Sequence, residues 1–197
     1  MSPRMQLTPD EIAALFTRSD GSFLAARWGR PVAPVIFGLG DESLGIFRSA
    51  IRAVLADTRH PLAETDPESG ANLMLFFARD WDEVAAIPDL DRLTGLADLP
   101  ARLAATDADN FRIFRFDQAG AIRACLSFTR MGGALAEAHP AALAEALAVR
   151  AMLTFAREVT PSRNVAGLIR AAYDPVLPAV ATDPSHALRL AARIAAG

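Results

Sequence analysis

Glu145 is the residue whose surroundings most invite chemistry. It falls in a stretch that reads as one long helix, about Ala141 to Arg157. The stripe around it holds Ala141, Ala148, Val149, Met152 and Ala156, while Arg150 and Arg157 stand on another face. A lone carboxylate on an apolar stripe lines a cleft, pairs with an Arg inside the protein, or sits on an exposed small-residue surface. Burial would raise its pKa and make it a general acid or base. A second constellation, Arg27-Trp28-Gly29-Arg30-Pro31, gathers two guanidiniums around an indole. Such a cluster can clamp a carboxylate or phosphate while Trp28 stacks on the ligand; its plainer use is an Arg stacked on a structural Trp.

Other reactive residues stand apart from one another. His60, His139 and His186 have no neighbouring His or Cys. His60 precedes Pro61 at a helix exit, His139 precedes the long helix, and His186 opens the last one, so surface or capping roles are expected and no metal ligand is assigned. Gly38-Leu39-Gly40 before a helix has neither the third glycine of a dinucleotide fingerprint nor a lysine. Cys125 is the single cysteine and reads as lying within a strand, and no Gly-x-Ser-x-Gly occurs. All 20 basic residues are Arg, which excludes Schiff-base and Walker-lysine chemistry. Tyr173-Asp174-Pro175 reads as a helix stop and turn. No cofactor is expected.

The elements that would position these residues are legible from spacing. Thr8-Pro9-Asp10-Glu11 is a capping box opening a helix that should run to about Arg18. Val32 to Phe37 reads as a strand, with Pro34 demanding an edge or a strand start. From Asp41, Leu44, Phe47, Ile51, Val54 and Leu55 share one helical face, and Leu73 to Phe77 fits a buried central strand. Strand, helix, strand predicts a βαβ-like unit. Asp80 to Ala86 and Leu90 to Ala105 read as helical, interrupted near Pro88 and Pro100. Phe111 to Phe116 and Ala121 to Thr129 flank the turn Asp117-Gln118-Ala119-Gly120 as a hairpin. Within its second strand Ile122, Ala124, Leu126 and Phe128 should alternate inward, leaving Arg123, Cys125 and Ser127 on the opposite face. After Pro140 the chain reads as all helical, with Val165 to Tyr173 and a final helix capped by Asp183-Pro184 and ended by Gly197.

Length and composition agree with one α+β domain over residues 1–197: a small mixed sheet of about four strands followed by a helical half. The chain is 52% hydrophobic and 22% charged, enough for a packed core. A net charge of −3 steers neither nucleic acid nor an anionic membrane to it. The first residues read as no signal peptide, and the most apolar window, Ala138 to Ala156, contains Glu145 and Arg150, so a cytoplasmic location is expected.

Several short motifs together resemble a proteobacterial domain family of unknown function. They are Arg27-Trp28 with Pro31-Val32 before a strand, Ala71-Asn72 opening an apolar strand, and Leu168-Ile169-Arg170 followed by Tyr173-Asp174-Pro175-Val176-Leu177. Members of that family are usually secreted or lipoprotein-like, and their core looks like a zincin metallopeptidase. The similarity spans most of Leu24 to Ala195, and it implies a zincin-like fold. In register, the family's His-Glu pair falls at Ala144-Glu145, and the next turn offers Ala148 or Val149, so the resemblance implies a fold whose metal site is lost. The expected function is a non-catalytic binding or interaction protein for a small molecule or protein. The alternative is a metal-independent hydrolase with Glu145 as general acid/base and Arg27 or Arg30 as anion clamp. Homo-oligomerisation through the Ala-rich C-terminal helices is a third expectation.

Overall fold

The computed structural model describes residues 6–132, 135 and 137–196. Its centre is a four-stranded mixed sheet in the order β2-β3-β5-β4, formed by β2 (Pro34–Phe37), β3 (Leu73–Ala78), β4 (Asn110–Phe116) and β5 (Ile122–Arg130). Pro34 opens β2, which lies at the sheet edge, the position its missing N–H requires. β2 runs parallel to β3 with α2 (Asp41–Asp57) between them, so the βαβ unit forms. β3 also pairs parallel with β5, and its run Leu73 to Ala78 is almost wholly buried because helices pack on both sheet faces.

On one face lies the larger core, where Leu73, Leu75, Phe77, Ile122 and Cys125 meet Phe47, Ile51 and Leu55 of α2. The same core takes in α1 (Pro9–Phe16), α6 (Pro140–Arg150), α7 (Arg163–Ala172) and α8 (His186–Ala196). On the other face Phe76, Ala78, Leu126 and Phe128 pack against the short helices α3 (Trp81–Ala85), α4 (Leu90–Thr94) and α5 (Leu99–Ala105). A small second sheet pairs β1 (Ala25–Ala26) with β6 (Val180–Ala181), an element that two-residue strands leave no periodicity to announce. The described residues include no helix long and apolar enough to cross a membrane.

Local chemistry explains most boundaries. Thr8 and Glu11 form the reciprocal capping box of α1, though the helix stops at Phe16, before Arg18. His139 caps α6, its Nδ1 accepting from the Ala141 amide. Ser162 caps α7, and Tyr173 ends it. Pro100 lies in the first turn of α5 instead of interrupting a helix; the break begins at Gly95, whose φ of +71° is left-handed. Gly38 needs its φ of +86° and its hydrogen too, because a Cβ there would lie 2.0 Å from the Phe77 carbonyl oxygen. The expected end of the last helix at Gly197 falls outside the described residues.

Two sequence expectations are overturned. α6 ends at Arg150, about two turns short of Arg157. Tertiary bonds take the chain instead: Leu153 bridges to Arg27, and the Thr154 hydroxyl donates to the Leu24 carbonyl and accepts from the Ala26 amide. In β5 the alternation also changes phase. Arg115 faces Ala124 while Phe116 faces Ile122, so Arg123 is the extra residue of a β-bulge. Ile122 therefore shares the larger core with Cys125 instead of the face of Leu126 and Phe128, and the face of Cys125 and Ser127, opposite Leu126 and Phe128 as expected, is buried too.

Candidate functional site

Arg27 and Trp28 are structural. Trp28 is 3% exposed, and its indole N–H donates to the Ala151 carbonyl at 2.8 Å, so it has no face for a ligand. Arg27 donates to the carbonyls of Tyr173 at 2.8 Å and Leu177 at 3.4 Å, with its guanidinium 5.7 Å from the Tyr173 ring centre. The Tyr173 hydroxyl donates to the Met152 carbonyl and accepts from the Trp28 amide. Burial pushes that phenol well above its ordinary pKa. The Arg-Trp and Tyr-Asp-Pro motifs are thus two halves of one clasp.

Arg30 is separate from that clasp and opens on solvent. It pairs with Glu68 at 3.2 Å and Asp66 at 3.4 Å, bonds that raise its pKa. Asp66 is a buried hub. Burial works against its charge, yet the amides of Glu68 and Ser69, the Ser69 hydroxyl and the Asn72 side chain outweigh it and hold its pKa at about 2. Asn72 completes the network by accepting from the Ala33 amide and donating to the Pro31 carbonyl. His60 seats its Nε2 2.8 Å from the Arg30 carbonyl oxygen and its ring edge-on to Tyr173, and burial lowers its pKa. It is a half-buried packing residue, not the surface cation expected.

Above this network the short helices leave part of the second sheet face uncovered. There a cleft of about 720 Å³ is lined by Arg30, Arg92, Arg115 and Arg123 against only two carboxylates, Glu68 and Asp89. The bulge is what lets Arg123 line the same cleft as Ala124 and Leu126. Arg123 and Arg30 share Glu68. Arg115 donates to the Leu93 carbonyl, and neither it nor Arg92 has an ion-pair partner among the described residues. Gly95 makes room for Arg115: a Cβ there would meet Nη2 at 2.9 Å. The cleft shares Met74, Pro88 and Leu93 with an apolar hollow of about 470 Å³, lined further by Phe37, Phe76, Val84 and Ile87. The Phe37, Phe76 and Phe128 rings stack across β2, β3 and β5 with centres 5.0 and 4.8 Å apart, and Phe37 at the open end is 47% exposed. A concave face with a cationic floor beside an apolar one can hold an amphiphilic anion. Arg92, Arg115 and Arg123 escaped the sequence reading because they sit on three separate segments; the one available signal was an Arg at each side of the hairpin turn.

Glu145 is exposed on α6 and lines a different hollow, about 350 Å³, with Val54, Asp57, Val149 and Ile169. Arg27, Trp28 and Arg30 are not among its lining residues, so the carboxylate and the expected clamp are not brought together. Ala144, which the resemblance would align with a metal-binding histidine, is 1% exposed within the larger core, and Ala148 is buried beside it. No three His, Cys, Asp or Glu side chains among the described residues cluster so as to hold a metal ion. Cys125 is fully buried, which pushes its thiol up to about 12 and leaves it unreactive. His186 is buried as well, and its Nδ1 has no partner. Comparison of this chain with protein families, with curated proteins and with solved structures finds no match.

Proposed function

We propose that this protein is a non-catalytic binding protein for a small amphiphilic anion, taken up in the arginine-lined cleft. One observation carries the reading. In a chain of net charge −3, four guanidiniums converge around two carboxylates, and the cleft they line runs into an apolar hollow. Arg92 and Arg115 lack ion-pair partners, so they offer their N–H donors to an incoming carboxylate at little competing cost. Met74, Phe76, Ile87 and Leu93 then take its apolar body out of water. A zincin-like fold without its metal site belongs to the same proposal; the buried Ala144 supports it, since an imidazole there would enter the core.

The test is calorimetric titration of the full chain with decanoate and with decanol. Decanoate should bind saturably, decanol far more weakly, and Arg115→Gln should weaken decanoate about tenfold, the loss of one charge-assisted bond. Equal binding of decanoate and decanol, or none of either, overturns the reading.

A further inference from the structure

Arg112 is a half-buried cation with no ion-pair partner among the described residues. Arg112 lies on the face of β4 that carries Phe114, toward the larger core, while Phe111 and Ile113 point to the smaller one. Its guanidinium sits 5.3 Å from the Phe114 ring centre, and its one hydrogen bond is a long one, 3.3 Å, from Nη2 to the Phe155 carbonyl. The Nε is sealed from water with no acceptor. Burial lowers the Arg112 pKa; Glu158 is near enough to offset this in part, but it ion-pairs with Arg150, whose own charge acts against Arg112, and no carboxylate among the described residues pairs with Arg112 directly. Withdrawing a charge from water without a close ion-pair partner is unfavourable, and a bound anion would relieve it.

The surroundings say what kind of anion fits. Arg112 opens into a hollow of about 340 Å³ whose other walls include Phe114, Phe116, Phe155 and Leu96, with Arg18 as a further cation. Arg18 is exposed and makes no ion pair among the described residues, although Asp20 is close enough to feel its charge. None of the residues lining this hollow lines the arginine-rich cleft. We propose that the hollow between β4 and the Phe155 segment is a second anion site, taking a compact aromatic carboxylate. The carboxylate meets the fork of Arg112, and the ring lies among the phenylalanines.

Benzoate is the probe, with inorganic phosphate as the comparison. Benzoate should raise the Tm of the full chain saturably, and phosphate should not. Arg112→Met should abolish the benzoate effect, and Arg18→Gln should weaken the affinity several-fold. Arg115→Gln, which weakens the other cleft, should leave it unchanged, so failure of one site is distinguishable from failure of the other. Absence of a saturable benzoate effect overturns the assignment, as does a phosphate effect of equal size or a benzoate effect that survives Arg112→Met. Should Arg112→Met fail to fold, an unaltered benzoate affinity in Arg18→Gln overturns it instead.

Discussion

Arg27 and Tyr173, 146 residues apart, are joined by a 2.8 Å hydrogen bond from a guanidinium Nη1 to a backbone carbonyl, with the same guanidinium beside the tyrosine ring. That contact fastens the segment entering the sheet to the end of α7. It makes the shared appearance of Arg-Trp and Tyr-Asp-Pro in the sequence a matter of stability.

Tyr173→Phe removes a buried hydroxyl that donates to the Met152 carbonyl and accepts from the Trp28 amide. Unfolding in urea should show a loss of roughly 1–3 kcal/mol with the fold retained, because both backbone groups lose their partner. Decanoate binding should be untouched in the folded variant.

Asp66 gives the protein an acid limb. Its pKa is depressed from 3.8 to about 2, so its stabilisation is complete above the unfolded value and disappears as pH falls through the folded one. Urea midpoints measured from about pH 5 down to about pH 2 should fall more steeply in the wild type than in Asp66→Asn. Parallel curves would remove this role for Asp66.

Gly95→Ala should weaken decanoate binding. The new methyl group would meet the Arg115 guanidinium at 2.9 Å, and the residue must hold a φ of +71°. Gly21→Ala is the matched control: its φ is +83°, and a Cβ there meets nothing. Both variants carry a strain of about 1 kcal/mol, so only the difference in affinity reports on the cleft.

Glu145→Gln should change neither stability nor decanoate binding, since the carboxylate is exposed and makes no ion pair among the described residues. A hydrolytic activity present in the wild type and lost in this variant would favour the enzymatic alternative. Elemental analysis should find zinc far below one ion per chain; a near-stoichiometric amount would contradict the lost-site reading.

Patterns set by neighbours along the chain are readable in the sequence alone. The Thr8 to Glu11 box, the face of Phe47, Ile51 and Leu55, the apolar run of β3 and the Gly120 turn each depend on contacts a few residues away. Those periodicities gave the α+β class and the parallel βαβ unit. What tertiary structure decided is where locally equivalent options went. Residues 151–157 are compatible with helix, yet Thr154 and Leu153 are claimed by partners more than 120 residues away. Arg123 reached its cleft through a one-residue bulge that period-two alternation cannot foresee. Of the four cleft arginines, Arg30 stood out in sequence beside Trp28 and Arg115 and Arg123 flank the hairpin turn, but nothing local brings them together with Arg92; only folding lines one cleft with all four. Charge placement is a long-range property of the packed chain, and short-range spacing carries little of it.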